Sequence, residues 1–339
     1  MRVKRLCFEL TRACNQRCAH CYNVWNEGGR QPRPEPRPAL ETPRLLELLE
    51  RAIRDSGAEQ VILSGGEPLL HPDALQIVQR ACELGPRVQL VTNGQHVTPA
   101  LARELARAGL TTAQLTLLSA DPGRHDALKG ADSFASTTRA ALDLRDVGVD
   151  VQACFVATRE SCAGFEEVLE LCLALDIRAL AYNRFAPAGR AATDFAALMP
   201  TVEQVEANLE AAERLGPPWQ IRVSTAMPIP PCLIRIERYR WVRFGFCSTG
   251  TASPNLVIDA AGDVRSCNLS SHVMGNLLER SWASILREGH PRRLFRRQHP
   301  RCRGCAHEAT CRGGCRESAL ACHGHDEAAD PFVGAALEA

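Results

Sequence analysis

The chain has 339 residues, enough for one large domain and a smaller one, and its 40 Lys and Arg against 39 Asp and Glu leave a formal net charge of +1. So even a balance gives no global field for nucleic acid. No apolar run reaches membrane-spanning length, and residues 1–11 lack a signal-peptide pattern, so the sequence implies a cytoplasmic protein with no membrane partner.

Residues 5–10 read as a first strand. They run into Cys14-Asn-Gln-Arg-Cys18-Ala-His-Cys21, three thiols within one short loop. Thiolates suit soft iron, and three of them can each hold one iron of a cubane. With no fourth cysteine nearby, one iron stays open for a small molecule. A zinc knuckle needs four converging ligands, and His20, wedged between Cys18 and Cys21, is badly placed to be the fourth.

Residues 28–38, rich in proline and arginine, read as an exposed, extended excursion. Thr42 and Pro43 then open a helix with Leu45, Leu46, Leu48, Leu49 and Ile53 on its apolar face, ended by Ser56 and Gly57. A strand over 60–63 leads into Ser64-Gly65-Gly66-Glu67-Pro68. A third over 88–91 leads into Thr92-Asn93-Gly94, followed by a helix opened by Thr98 and Pro99. Residues 113–118 are a strand, 136–147 a helix, 151–157 a strand, 165–175 a helix and 178–182 a sixth strand.

Six strand–helix alternations predict an α/β fold with a parallel sheet and right-handed crossovers, at a spacing that suits a partial (β/α)6 barrel. Its ligand site belongs at the carboxyl ends of the strands, where every motif of interest falls. His125, in the stretch His125-Asp126-Ala-Leu-Lys129-Gly130, reads as a structural residue of a loop-ordering element rather than a catalytic one. A helix over 195–216, capped by Thr201, bridges to Pro217, Pro218 and the prolines around 228–231, which mark a change in character.

Beyond it the cysteines gather. Cys247 is followed by Gly262 and Cys267, then by Cys302-x₂-Cys305-x₅-Cys311-x₃-Cys315 and Cys322. Residues 254–258 and 263–266 around Gly262 predict a β-hairpin that carries Cys267 at its end and brings it to Cys247. Sixteen cysteines without an export signal favour metal over disulfides. The spacing is not that of paired zinc ribbons, and the run of Arg292, Arg293, Arg296 and Arg297 reads as a solvated face, not a nucleic-acid contact. Cys7, Cys82, Cys154, Cys162 and Cys172 fall singly in or beside predicted elements and read as small core hydrophobes.

The triad after a first strand resembles the C-x₃-C-x-aromatic-C signature of radical S-adenosylmethionine (AdoMet) enzymes. In that family the open iron chelates the methionine end of AdoMet, and cluster reduction yields a 5′-deoxyadenosyl radical. By the same resemblance Gly65, Gly66, Glu67 and Pro68 match a motif that receives the methionine amino group. Asn93 and Thr116 match further cofactor contacts, Thr116 near the carboxylate, and Asn183-Arg184 resembles a sixth-strand segment near the adenosine and carboxylate.

The later string resembles the SPASM domain of radical AdoMet proteins that mature peptides, which binds two auxiliary four-iron clusters. Carried over by position, Cys247, Cys267 and Cys315 hold the nearer cluster, with Cys232 as candidate fourth ligand, and Cys302, Cys305, Cys311 and Cys322 hold the other. The implied organisation is a barrel over 1–195, a bridging helix and linker over 196–231, a SPASM domain over 232–325 and a tail over 326–339. The implied cofactors are three [4Fe–4S] clusters and AdoMet.

The implied activity is oxidative crosslinking of a ribosomally made peptide, through a thioether or carbon–carbon bond, with an auxiliary cluster accepting an electron. A flavodoxin- or ferredoxin-type donor is implied as partner. Cys14 lies so near the start that a leader would be bound by a separate protein, by the barrel mouth, or not at all. Three alternatives stand beside it: a formylglycine-forming maturase, for which no base is identifiable; a haem or tetrapyrrole tailoring enzyme; and a non-catalytic iron–sulfur scaffold.

Overall fold

The computed structural model describes residues 3–25, 37–249, 251, 254–288, 299–325 and 327–337. Six parallel strands, β1 (Arg5–Glu9), β2 (Gln60–Ser64), β3 (Arg87–Thr92), β4 (Thr112–Thr116), β5 (Asp150–Ala157) and β6 (Ala179–Arg184), lie side by side in chain order. Helices α1 (Thr42–Ser56), α2 (Ala74–Glu83), α3 (Pro99–Arg107), α4 (Pro122–Lys129), α5 (Phe134–Asp146) and α6 (Phe165–Ala174) fill the crossovers. The sheet stays open, as the sequence implied for a partial barrel.

Alternation along the strands decides what each face does. Leu6, Phe8 and Leu10 join Val61, Leu63, Leu90 and Leu115 in the apolar core with Leu45, Leu48, Leu49 and Ile53 of α1. Burying each such side chain contributes about 1.5–3 kcal/mol. The intervening positions mix apolar residues such as Cys7, Ile62 and Val91 with polar ones. Gln89 accepts from Gln60 Nε2 at 3.2 Å and donates to Gln152 and Gln114 at 3.1 and 3.4 Å, lacing β2 to β5 on the opposite face.

The sheet extends past both edges of the barrel. Beyond β6 lie β7 (Arg222–Thr225) and β8 (Arg243–Phe244), both parallel. Beyond β1 lies β9 (Asn255–Asp259), parallel to it with Glu9 opposite Asp259, then β10 (Asp263–Arg265) and β11 (Val273–Asn276), antiparallel. The predicted hairpin exists as β9 and β10. Instead of standing in a sheet of its own, it completes one eleven-stranded sheet. Arg265 of β10 forms a buried ion pair with Glu9 of β1, and the Trp25 ring lies 5.3 Å from its guanidinium. Burial pushes the Glu9 carboxyl up to about 7, with Arg265 opposing the rise.

Several local expectations change. Glu41 stands at the N-cap of α1 and Thr42 Oγ1 donates instead to Asp73 Oδ2 at 2.5 Å. The stretch around His125 is the helix α4, capped by Asp121, whose side chain accepts from Arg124 N at 2.7 Å. The bridging helix is broken into α7 (Phe195–Leu198) and α8 (Val202–Trp219), because Pro200 holds Met199 extended. Thr201 and Gln204 form a capping box on α8, as the Thr201 cap predicted. Pro217 and Pro218 lie inside its last turn, where Ile221 N and Gln220 N bond the carbonyls of Gly216 and Pro217 and close the helix end. Among the described residues four helices follow, α9 (Trp282–Glu288), α10 (Glu308–Cys311), α11 (Arg316–His323) and α12 (Pro331–Leu337). The proline-rich excursion, apart from Arg37 and Pro38, and the arginine run at 292–297 lie outside the described residues.

Candidate active site

The cysteine loop leaves β1 and is bonded at once to the turn after β2. Gly66 N donates to Thr11 O and Glu67 N to Ala13 O, each at 2.8 Å, and Asn23 Nδ2 donates to Gly65 O at 3.1 Å. The reason for two glycines is steric. A Cβ on Gly66 would stand 2.1 Å from Ala13 O, and one on Gly65, at φ +137°, would stand 2.4 Å from Thr11 O. The glycines therefore admit the cysteine loop itself.

Two further elements hold the loop from other sides. Arg17 N and Ala19 N donate to Lys129 O and Leu128 O at the end of α4, both at 3.2 Å. Ala191 N donates to Cys21 O at 3.2 Å, beside Gly189, whose added Cβ would stand 2.3 Å from Asn23 O. Asn93 donates from Nδ2 to Asn15 Oδ1 at 2.7 Å, and Asn15 and Gln16 both donate to Gln95 Oε1. The loop that carries Cys14, Cys18 and Cys21 is thus fixed by the ends of β2, β3, α4 and β6.

Glu67 does not reach into open space. Its Oε1 accepts from Thr92 Oγ1 at 2.6 Å and Leu69 N at 3.1 Å, and its Oε2 from Asn93 N at 2.7 Å. Burial raises its pKa while these donors lower it. Its role here is to brace the β2 turn against β3. Pro68 starts the short 3-10 turn that follows, and Thr116, half-buried, ends β4.

Arg184 departs from the cofactor contact implied for it. It is 1% exposed, donates from Nε to Pro228 O at 2.6 Å and pairs with Asp330, and its guanidinium lies 5.1 Å over the Phe332 ring. A side chain so engaged ties β6 to the C-terminal segment. Asn183 donates from Nδ2 to Cys154 Sγ at 3.3 Å, and its buried Oδ1 has no partner among the described residues.

Lys129, given no role in the sequence reading, lies against the cysteine loop. Lys129 is 3% exposed on the last turn of α4 and has no hydrogen bond or ion pair among the described residues. Its charge acts on Cys14, Cys18 and Glu67. A cation on the helix end that holds the cysteine loop suits an anionic group there. His125, fully buried, accepts from Leu118 N at 3.4 Å and meets Phe134 edge-on, and burial lowers its pKa to about 4. That is a structural histidine, in keeping with the sequence reading.

The three thiols face one another electrostatically: Cys18 raises the pKa of Cys14, and Cys21 that of Cys18, on top of burial. Among the described residues no group of three or more Cys, His, Asp or Glu is close enough to chelate a single ion. A cubane asks for something looser, one thiolate on each iron. The triad, the cradle that its glycines leave and the unpaired Lys129 together fit an anionic cluster with an open iron.

The later cysteines fall into two groups. Cys267 is burdened by charge on Glu317, Cys315 and Cys247, and Glu317 is itself buried and accepts from Ser266 Oγ at 3.5 Å. Cys302 feels Cys311 and Cys305. Cys322 is buried on α11, and Cys232 is exposed. Burial raises the pKa of the Cys232 thiol, and charge on Cys311, Cys302 and Cys305 adds to the rise. Of the five cysteines read as structural, Cys7, Cys154, Cys162 and Cys172 are buried, and Cys82 is partly so.

A family model described as the radical SAM superfamily matches residues 8–172, and one described as SPASM, an iron–sulfur cluster-binding domain, matches residues 247–306. An AdoMet-dependent heme synthase of Nitratidesulfovibrio vulgaris is 27% identical over 97% of this chain and 91% of its own length. A PqqA peptide cyclase of Streptomyces rochei is 29% identical over 96% of this chain and 88% of its own. Among solved structures, SuiB of Streptococcus suis bound to AdoMet superposes with a TM-score of 0.75 at 17% identity, covering 98% of this chain and 77% of that one. SuiB bound to its precursor peptide SuiA gives 0.71 at 16% identity, covering 98% and 76%. No described helix is long and apolar enough to cross a membrane.

Proposed function

The chain belongs to the radical SAM superfamily as an enzyme with a C-terminal SPASM domain, and we propose that it oxidatively crosslinks a ribosomally made peptide. The observation that carries the enzymatic reading is the direct bonding of the cysteine loop to the Gly65-Gly66 turn at the carboxyl ends of the strands. Cys14, Cys18 and Cys21 would each hold one iron of a four-iron cluster, whose remaining iron, at the fourth corner, would be open to the amino-acid end of AdoMet. Gly65 and Gly66 bring the main chain up to that corner. Glu67 braces the turn, Asn93 steadies the loop through Asn15, and Lys129 with Thr116 receives the carboxylate. Once reduced, the bound pair supplies a 5′-deoxyadenosyl radical that abstracts a hydrogen from the substrate.

The peptide substrate is supported by likeness to the PqqA peptide cyclase and to the fold of SuiB with its precursor peptide. The bond formed is a thioether or a carbon–carbon link. Two auxiliary clusters in the SPASM domain accept the substrate electron, and a flavodoxin- or ferredoxin-type protein supplies the reducing one. Tetrapyrrole tailoring is the second reading, favoured by the heme synthase that spans 97% of the chain.

The test is anaerobic co-expression with peptides encoded beside the gene, read by mass spectrometry. Loss of two hydrogens from one of them supports crosslinking. A gain of oxygen, or unchanged peptides alongside turnover of a tetrapyrrole, rejects it.

A further inference from the structure

We infer that the inner face of β2–β6 is a trough selecting an uncharged stretch of peptide, and that Gln152 and Asn183 hydrogen-bond the amides of the segment to be modified. The inference rests on reading the substrate as a peptide and adds which peptides the enzyme accepts.

The two faces of the sheet are covered to different degrees. On β2, β4, β5 and β6 the residues that pack under the helices, such as Leu63, Leu115, Phe155 and Tyr182, are buried, whereas nearly all those between them are only half-buried. A face left half-buried along four strands is open to water rather than filled by packing. Its floor is the amide ladder. Gln114 and Gln152 lie opposite each other in register, and Gln89 Nε2 donates to the Oε1 of both. With that oxygen engaged, Gln152 has its amide donors to offer.

Two residues further along the strands, Thr116 lies opposite Cys154 in register, so the trough borders the place proposed for the AdoMet carboxylate. Asn183 stands at the same end, on β6. Its Nδ2 bond to Cys154 Sγ sets the amide, and the buried Oδ1 is the acceptor left over among the described residues. The loop that follows β6 reaches the cysteine loop through the bond from Ala191 N to Cys21 O. A segment lying on Gln152 and Asn183 is therefore beside the site where the radical forms.

Charge decides what can lie there. From the glutamine floor to the strand ends, β2–β6 place no ionisable side chain on this face except the Cys154 thiol, and burial raises its pKa, which keeps it neutral. Arg87 and Asp150 share the face only at the strand starts, where both are exposed. On β1, Glu9 is taken by Arg265. A charged group entering the trough would lose water without gaining a counter-ion. Main-chain amides and neutral side chains find both a donor and an acceptor. The same reasoning sets the trough against a tetrapyrrole with carboxylate side chains.

The experiment co-expresses the full-length enzyme without oxygen with the peptides encoded beside its gene, carrying Asn, Asp or Lys in turn on either side of the modified residue, and reads the modified fraction by mass spectrometry. Asp- and Lys-flanked peptides are expected to be modified about tenfold less than Asn-flanked ones. Gln152→Glu is expected to raise the ratio of Lys-flanked to Asn-flanked product about tenfold, a ratio that a general loss of activity leaves untouched. Should Gln152→Glu not fold, Asn183→Asp carries the same expectation. Equal modification of all three peptides by the wild type, or a ratio unmoved in the folded variant, overturns the inference and leaves the peptide reading standing. Failure to modify any of the peptides overturns both.

Discussion

Replacing Gly66 by alanine tests whether that glycine exists to admit the cysteine loop. The new Cβ would stand 2.1 Å from Ala13 O, and ordinary contact begins at 3.4 Å, so the two segments must part by about 1.3 Å. That opens the 2.8 Å bond from Glu67 N to Ala13 O beyond hydrogen-bonding range, and the equal bond from Gly66 N to Thr11 O is strained with it. Two backbone bonds at about 0.5–1.5 kcal/mol each make the stability loss about 1–3 kcal/mol. For a chain of this size that lowers the melting temperature by about 2–4 °C. Cys14 is the next residue after Ala13 and moves with it, and a displacement of about 1 Å costs on the order of 100-fold in rate. The assay pairs thermal melting by circular dichroism with 5′-deoxyadenosine formation by anaerobically reconstituted protein. A folded Gly66→Ala variant that cleaves AdoMet at the wild-type rate would refute the reasoning.

Lys129→Met removes that cation, so AdoMet affinity should fall roughly 10-fold or more, the worth of a charged hydrogen bond. Calorimetric titration with AdoMet reads this, and unchanged affinity rejects the role. Asp330→Asn breaks the buried pair with Arg184 and should cost about 3–5 kcal/mol, whereas the double variant Arg184→Met with Asp330→Leu should recover most of it. Denaturant unfolding of the single and double variants checks that coupling, and additive losses contradict it. His125 has a pKa lowered to about 4 from 6.5, so the unfolded chain binds its proton more readily and acid destabilises the fold. That contribution is whole above pH 6.5 and shrinks by about 2 kcal/mol by pH 5, a slope that His125→Phe should flatten.

Most of the barrel was legible because its signals are local. Apolar positions such as Leu6, Phe8, Val61 and Leu63 alternate, caps such as Thr98 and Thr201 bond where their residue types predict, and the triad is a contiguous stretch. What stayed hidden depends on distant partners. Nothing near Asp259 says that β9 will lie beside β1, some 250 residues earlier. Arg184 sits where a cofactor contact fits the resemblance, yet its partner Asp330 arrives 146 residues later. Lys129 could have been noticed as a lone cation in an otherwise structural stretch, but only its burial without a counter-ion marks it. Helix α4 was missed because its apolar periodicity is weak, and Pro122 and Gly123 at its start read as a turn. Thr42 lost its cap because Asp73, on the next unit, takes its hydroxyl.

The central claim is that the iron site near the amino end is one protein ligand short and that AdoMet takes the vacant corner. Electron paramagnetic resonance of the reduced protein, with and without AdoMet, tests it most directly. A cluster signal that changes on adding AdoMet, and is missing from the Cys14→Ala, Cys18→Ala, Cys21→Ala triple variant, is the predicted result. A signal from that cluster left unmoved by saturating AdoMet would contradict the account.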